Sequence, residues 1–167
     1  MYNYKLANFD KNNNTISMME SSEKFKKRFL ELVSDFDCKK SEIPKILNID
    51  YNIFIKIIEF GIIPQPKILI RIADYFNISI EYLLCRTDDS YIYKLDNRIA
   101  FIERYDTLIK EKGLTDYKIS KKLHISTSYI SNWRKKKYTP SLINLIELSE
   151  IFKVTIDFLL GRTDDRN

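Results

Sequence analysis

Ahead of Gly113, the stretch "NRIAFIERYDTLIKEK" sets Ile99, Ile102, Tyr105, Leu108 and Ile109 three or four positions apart. That period predicts an amphipathic helix, with the glycine behind it as a stop. Thr115 or Asp116 is placed to cap a second helix, "YKISKKL", which turns Ile119 and Leu123 inward. Ser126 is placed to cap a third, "TSYISNWRKK", with Ile130 and Trp133 inward. Pro140 and Ser141 open a fourth, "SLINLIELSEIF", and Thr155 caps a fifth, "IDFLLG", which Gly161 ends. The pattern predicts five short helices.

The same pattern occurs earlier in the chain. Shifting the sequence by 76 positions aligns residues 25–89 with 101–165 without a gap, and 18 of those 65 pairs are identical. Phe25 meets Phe101, Arg28 meets Arg104, Leu47 meets Leu123, Pro64 meets Pro140, and both stretches end in Arg-Thr-Asp-Asp. A fixed offset with preserved apolar spacing marks one structural unit used twice. The expected fold class is therefore all-α, with two tandem five-helix domains joined by a short linker. The expected divisions are a flexible N-terminal arm at 1–23, a first domain at 24–89, a linker at 90–96 and a second domain at 97–167.

Composition agrees with helices. There are only three glycines and four prolines in 167 residues, 44% of the chain is hydrophobic and 31% is charged. No apolar run approaches the roughly 18 residues of a membrane span. The N-terminus lacks the apolar core of a signal peptide, so a cytoplasmic protein without a membrane partner is expected. Cys38 and Cys85 stand alone, without metal-ligand or Cys-x-x-Cys spacing, and are read as reduced thiols.

The net charge of +5 matters less than its distribution. In "LTDYKISKKLHISTSYISNWRKKKYTPS" the second and third helices are joined by so few residues that they must cross steeply. The bend calls for a residue tolerant of positive φ; His124 fills that place, and Asn48 fills it in the first unit. Ile119, Leu123, Ile125, Ile130 and Trp133 form the core that fixes the angle. The outer face of the third helix carries Thr127, Ser128, Ser131 and Asn132, short polar side chains suited to base edges. Arg134, Lys135, Lys136 and Lys137 follow, with Lys118, Lys121 and Lys122 on the second helix. Cations so placed suit the phosphates beside a helix laid in the major groove.

The run "GLTDYKISKKLHISTSYISNWRKKKYTPSLINLIELSEIFKVTIDFLLGRTDD" resembles the lambda-repressor-like, XRE-type helix-turn-helix domains of phage repressors, Cro and bacterial regulators. Residues 24–89 resemble them more weakly. The resemblance implies that the third helix reads the major groove through Thr127, Ser128, Ser131 and Asn132. Phosphates would fall to Tyr117, Lys118, Lys121, Arg134, Lys135, Lys136 and Lys137. Asp116 stands where the family often has a phosphate-donating glutamine. A carboxylate cannot donate, so Asp116 is expected to act as a helix cap, leaving the phosphate to Tyr117 or Lys121.

The first unit lacks this surface. Tyr51, Asn52 and Lys56 match Thr127, Ser128 and Asn132, and Ile58, Glu59, Phe60 and Gly61 replace the basic run. Phe54 and Ile57 match the buried Ile130 and Trp133, which leaves Ile53, Ile55, Ile58, Phe60, Ile62 and Ile63 as a candidate dimer interface.

Catalysis is not expected. His124, the sole histidine, is accounted for by the turn, and no phosphate loop, nucleophile elbow or metal cluster appears. The expected function is a sequence-specific double-stranded DNA-binding transcription regulator of bacterial or phage type, a repressor, homodimeric through its first domain. It would need no cofactor, and the sequence specifies no small-molecule effector. The alternative is an interaction module derived from a DNA-binding fold, an anti-repressor or adaptor.

Overall fold

A computed structural model describes residues 5–6, 20–92, 98–136 and 138–166. Most of the expected arm, the linker from residue 93, Lys137 and the side chain of Lys136 lie outside the described residues. The fold is all-α, with ten helices among the described residues. The two-residue strands β1 (Lys5–Leu6) and β2 (Glu20–Ser21) pair antiparallel, Lys5 opposite Ser21. None of the helices is long and apolar enough to cross a membrane, among the described residues. The chain divides into two compact units, residues 1–78 with 82–90 and residues 79–81 with 91–167.

The first unit contains α1 (Glu23–Ser34), α2 (Ile43–Ile46), α3 (Tyr51–Phe60), α4 (Pro66–Phe76) and the end of α5 (Ile80–Leu83). Ser22 caps α1 by accepting the Phe25 N–H, and Asp50 caps α3 by accepting the Asn52 N–H at 2.8 Å. Asn48 takes the left-handed conformation between α2 and α3, as expected from its short polar side chain. Phe25, Phe29, Phe54, Ile57, Leu69, Ile72 and Leu83 make the core, with the Phe29 and Phe54 rings edge to face at 6.0 Å.

One residue of the candidate dimer interface belongs to that core instead. Ile58 is only 5% exposed, because it lies one helical turn from Phe54 on the inward side of α3. Ile53, Ile55, Ile62 and Ile63 are half-buried, and Phe60 is 63% exposed.

The second unit contains α6 (Phe101–Glu111), α7 (Asp116–Lys122), α8 (Thr127–Lys136), α9 (Leu142–Phe152) and α10 (Ile156–Leu159). Ser126, Ser141 and Thr155 cap α8, α9 and α10 by accepting the N–H groups of Tyr129, Asn144 and Phe158. Trp133 is the hub of the core, its ring edge-on to Phe101, Tyr105 and Tyr129 at 5.6, 5.6 and 5.9 Å. Gly161 has φ +63°, and a Cβ there would lie 1.9 Å from the carbonyl oxygen of Ile99, so only glycine lets the chain pass.

The first turn of α5 is part of this second unit. Ile80 N–H donates to Asp157 Oδ2 at 2.7 Å, and Ile156 N–H donates to Glu81 Oε1 at 2.7 Å, each carboxylate serving the start of a helix. The other oxygen of Asp157 pairs with the buried Arg162 guanidinium.

The last three helices of the two halves keep one spacing. Tyr51–Phe60 stands to Thr127–Lys136 as Pro66–Phe76 to Leu142–Phe152 and Ile80–Leu83 to Ile156–Leu159, start and end alike. The Arg-Thr-Asp-Asp tails fold back in the same way within each unit. Arg28 bonds Asp88 and lies 3.9 Å over the Tyr82 ring; Arg104 bonds Asp164 and lies 4.3 Å over the Phe158 ring.

Candidate nucleic-acid interface

The site is built on α7 and α8 of the second unit. His124 lies in the four residues that join them and has φ +52°, a conformation that turns the chain sharply. Ile119, Leu123, Ile130 and Trp133 are buried between the helices and their neighbours, while Ile125 is half-buried. With Ile130 and Trp133 inward, helical geometry turns the opposite side of α8 to solvent. Thr127 and Ser128 are exposed there, Ser131 and Asn132 half-buried, and Lys135 exposed. The Ser131 hydroxyl donates to the Thr127 carbonyl at 3.2 Å, so toward solvent it offers acceptor lone pairs. On α7, Tyr117, Lys118, Lys121 and Lys122 are exposed, with Lys121 Nζ 5.5 Å from the Tyr117 ring centroid.

Arg134 is engaged elsewhere. Its Nε and Nη2 donate to Asp106 Oδ1 at 3.2 and 2.6 Å, Nη1 pairs with Asp116 Oδ2, and Nη2 reaches Asp116 Oδ1 at 3.1 Å. Tyr105 Oη donates to Asp116 Oδ1 at 3.2 Å, and the Arg134 guanidinium lies 5.5 Å from the Tyr105 ring centroid. One guanidinium thus ties α6, α7 and α8 together. The bond to Asp116 holds the Arg134 proton more firmly than usual, and burial, reinforced by Asp116, drives the Tyr105 phenol far above its ordinary range.

Asp116 is not the helix cap expected from sequence. Thr115 caps α7, its hydroxyl accepting the Lys118 N–H at 3.3 Å, and Asp116 stands in the first turn with its carboxylate turned to Arg134 and Tyr105. The equivalent of Arg134 in the first unit is the buried Ile58. Both units thus use this position for packing, by an ion-pair clamp in one and an apolar side chain in the other. The signal was present in the sequence as two acidic residues, but 28 and 18 positions away from Arg134.

Residues 107–159 match the helix-turn-helix family model. That model describes helix-turn-helix domains of the XRE, lambda-repressor-like type, the kind carried by DNA-binding transcription regulators. No curated protein and no solved structure matches the chain. The matched segment spans the C-terminal end of α6 from Thr107 and all of α7, α8, α9 and α10.

Proposed function

We propose that this protein is a sequence-specific repressor that lays α8 in the major groove of double-stranded DNA. The observation that carries this is the outer face of α8. Four short polar side chains, Thr127, Ser128, Ser131 and Asn132, stand opposite the buried Ile130 and Trp133. Such side chains reach base edges without steric conflict, and the exposed Tyr117, Lys118 and Lys121 on α7 supply phosphate partners at the groove's edge. Lys136 and Lys137 extend the cationic flank in sequence. Occupancy of an operator by such a domain represses by excluding other proteins from the same groove.

The shared spacing of α3 with α8, α4 with α9 and α5 with α10 supports a duplicated unit whose first copy has changed use. The first copy carries Phe60 in the open beside half-buried Ile53, Ile55, Ile62 and Ile63. We assign that surface to pairing with a second copy of the chain, which would present two readers to half-sites about 34 Å apart.

Gel-shift titration of duplex DNA at several salt concentrations tests the reading. The expected result is a slope of log affinity against log salt that falls by about 0.9 for each phosphate contact removed, as in Lys118→Met or Lys121→Met. Unchanged slopes in both variants, or no retention of duplex DNA, would count against it. Pairing is tested by sedimentation of Phe60→Glu/Ile62→Glu, which is expected to lose the dimer while keeping its helicity.

A further inference from the structure

We propose that Lys135 reads a guanine base, rather than the phosphate that its place in a basic run suggested. The inference rests on the groove-reading role of α8 and deepens it. Ile130 and Trp133 fix the rotation of α8 about its axis. Ser128, Ser131, Asn132 and Lys135 then fall at positions i, i+3, i+4 and i+7, one stripe opposite the core. Lys135 is the one cation among those four. Its neighbour Arg134 is consumed by Asp106 and Asp116, whereas Lys135 is exposed and has no ion-pair partner among the described residues.

Side chains on a helix lean toward its N-terminus, so the four-carbon stem of Lys135 returns over Ser131 toward Ser128. Those two small residues leave room beneath it for a base pair. An ammonium has three donors and no acceptor, and the major-groove edge of guanine offers two acceptors, N7 and O6. Ser131 complements this. Its donor is bound to the Thr127 carbonyl, and its free lone pairs suit the amino group of the cytosine partner. The stripe is therefore built to prefer a G·C pair beneath Lys135 and Ser131.

The test is selection of bound duplexes from a random library by the full chain and by its Lys135→Met and Lys118→Met variants, followed by affinity measurement. The wild type is expected to enrich a motif containing a guanine that it prefers by roughly 5- to 150-fold over other bases. In Lys135→Met that one preference is expected to collapse while the rest of the motif persists. Lys118→Met is expected to weaken all sequences alike. Replacing the selected guanine by 7-deazaguanine removes the N7 acceptor, and should lower affinity for the wild type but not for Lys135→Met. If Lys135→Met keeps the full motif with uniformly weaker binding, Lys135 is a phosphate contact and the inference is wrong. If the wild type enriches no motif, the groove-reading role of α8 itself fails, and this inference with it.

Discussion

Replacing Arg134 by methionine removes the guanidinium and keeps most of the aliphatic stem. Two ion pairs are lost, to Asp106 and to Asp116, with side chains 35%, 50% and 33% exposed for Arg134, Asp106 and Asp116. Fully exposed pairs contribute about 0.2–1 kcal/mol each, and breaking a fully buried one costs about 3–5 kcal/mol. At this exposure water screens much of the interaction, so the pair of bridges is worth about 1–2 kcal/mol together. The two carboxylates left facing one another add to the loss. With a typical urea dependence, the unfolding midpoint should fall by roughly 1 M. Trp133, the sole tryptophan, lies in the core of the second unit and makes its fluorescence the natural probe. Lys135→Met, an exposed change on the same helix, should leave the unfolding free energy within about 0.5 kcal/mol of wild type. At temperatures where the Arg134→Met variant stays folded, its DNA affinity should keep the wild-type salt slope. An unchanged urea midpoint, or a salt slope reduced by about 0.9, would refute the clamp and return Arg134 to the phosphates.

Three further outcomes follow from the geometry. Gly161→Ala should cost at least about 2 kcal/mol, since the new methyl meets the Ile99 backbone, whereas Gly113→Ala, also at positive φ but in open space, should cost about 1 kcal/mol; urea titration of both separates the clash from the conformation. Ile58→Glu places a carboxylate in the first unit's core and should reduce helicity by circular dichroism, whereas Phe60→Glu at an exposed position should not. Tyr105 keeps its proton when folded beyond the pH at which the unfolded chain loses its own, so its contribution is complete below about pH 10 and is lost as pH rises above that. Urea midpoints between about pH 10 and 11.5 should therefore fall more steeply for wild type than for Tyr105→Phe.

Much of the second unit was legible in the sequence because its local signals agree. The apolar spacing of Ile130 and Trp133, the caps at Ser126, Ser141 and Thr155, and the left-handed His124 each follow from residues within a few positions. The solvent-facing polar side of α8 followed from the same periodicity. What the sequence concealed depends on distant partners. Arg134 looks like the first of four exposed cations until α6 and α7 bring Asp106 and Asp116 to it. Thr115 and Asp116 are both good caps, and the choice turned on the Arg134 partner that only the folded chain supplies. Ile58 read as surplus apolar surface because its equivalent is an arginine, although both positions face the same way.

The central claim, that α8 of the second unit reads DNA sequence, is tested most directly by sequencing genomic fragments retained by the protein at about 150 mM salt. The wild type should be compared with a Ser128→Ala/Asn132→Ala variant, which leaves the Arg134 clamp and the cations in place. The account predicts a defined motif for the wild type and its loss or alteration in the variant, with non-specific retention preserved. The same motif from both proteins, or no enrichment by either, would contradict it.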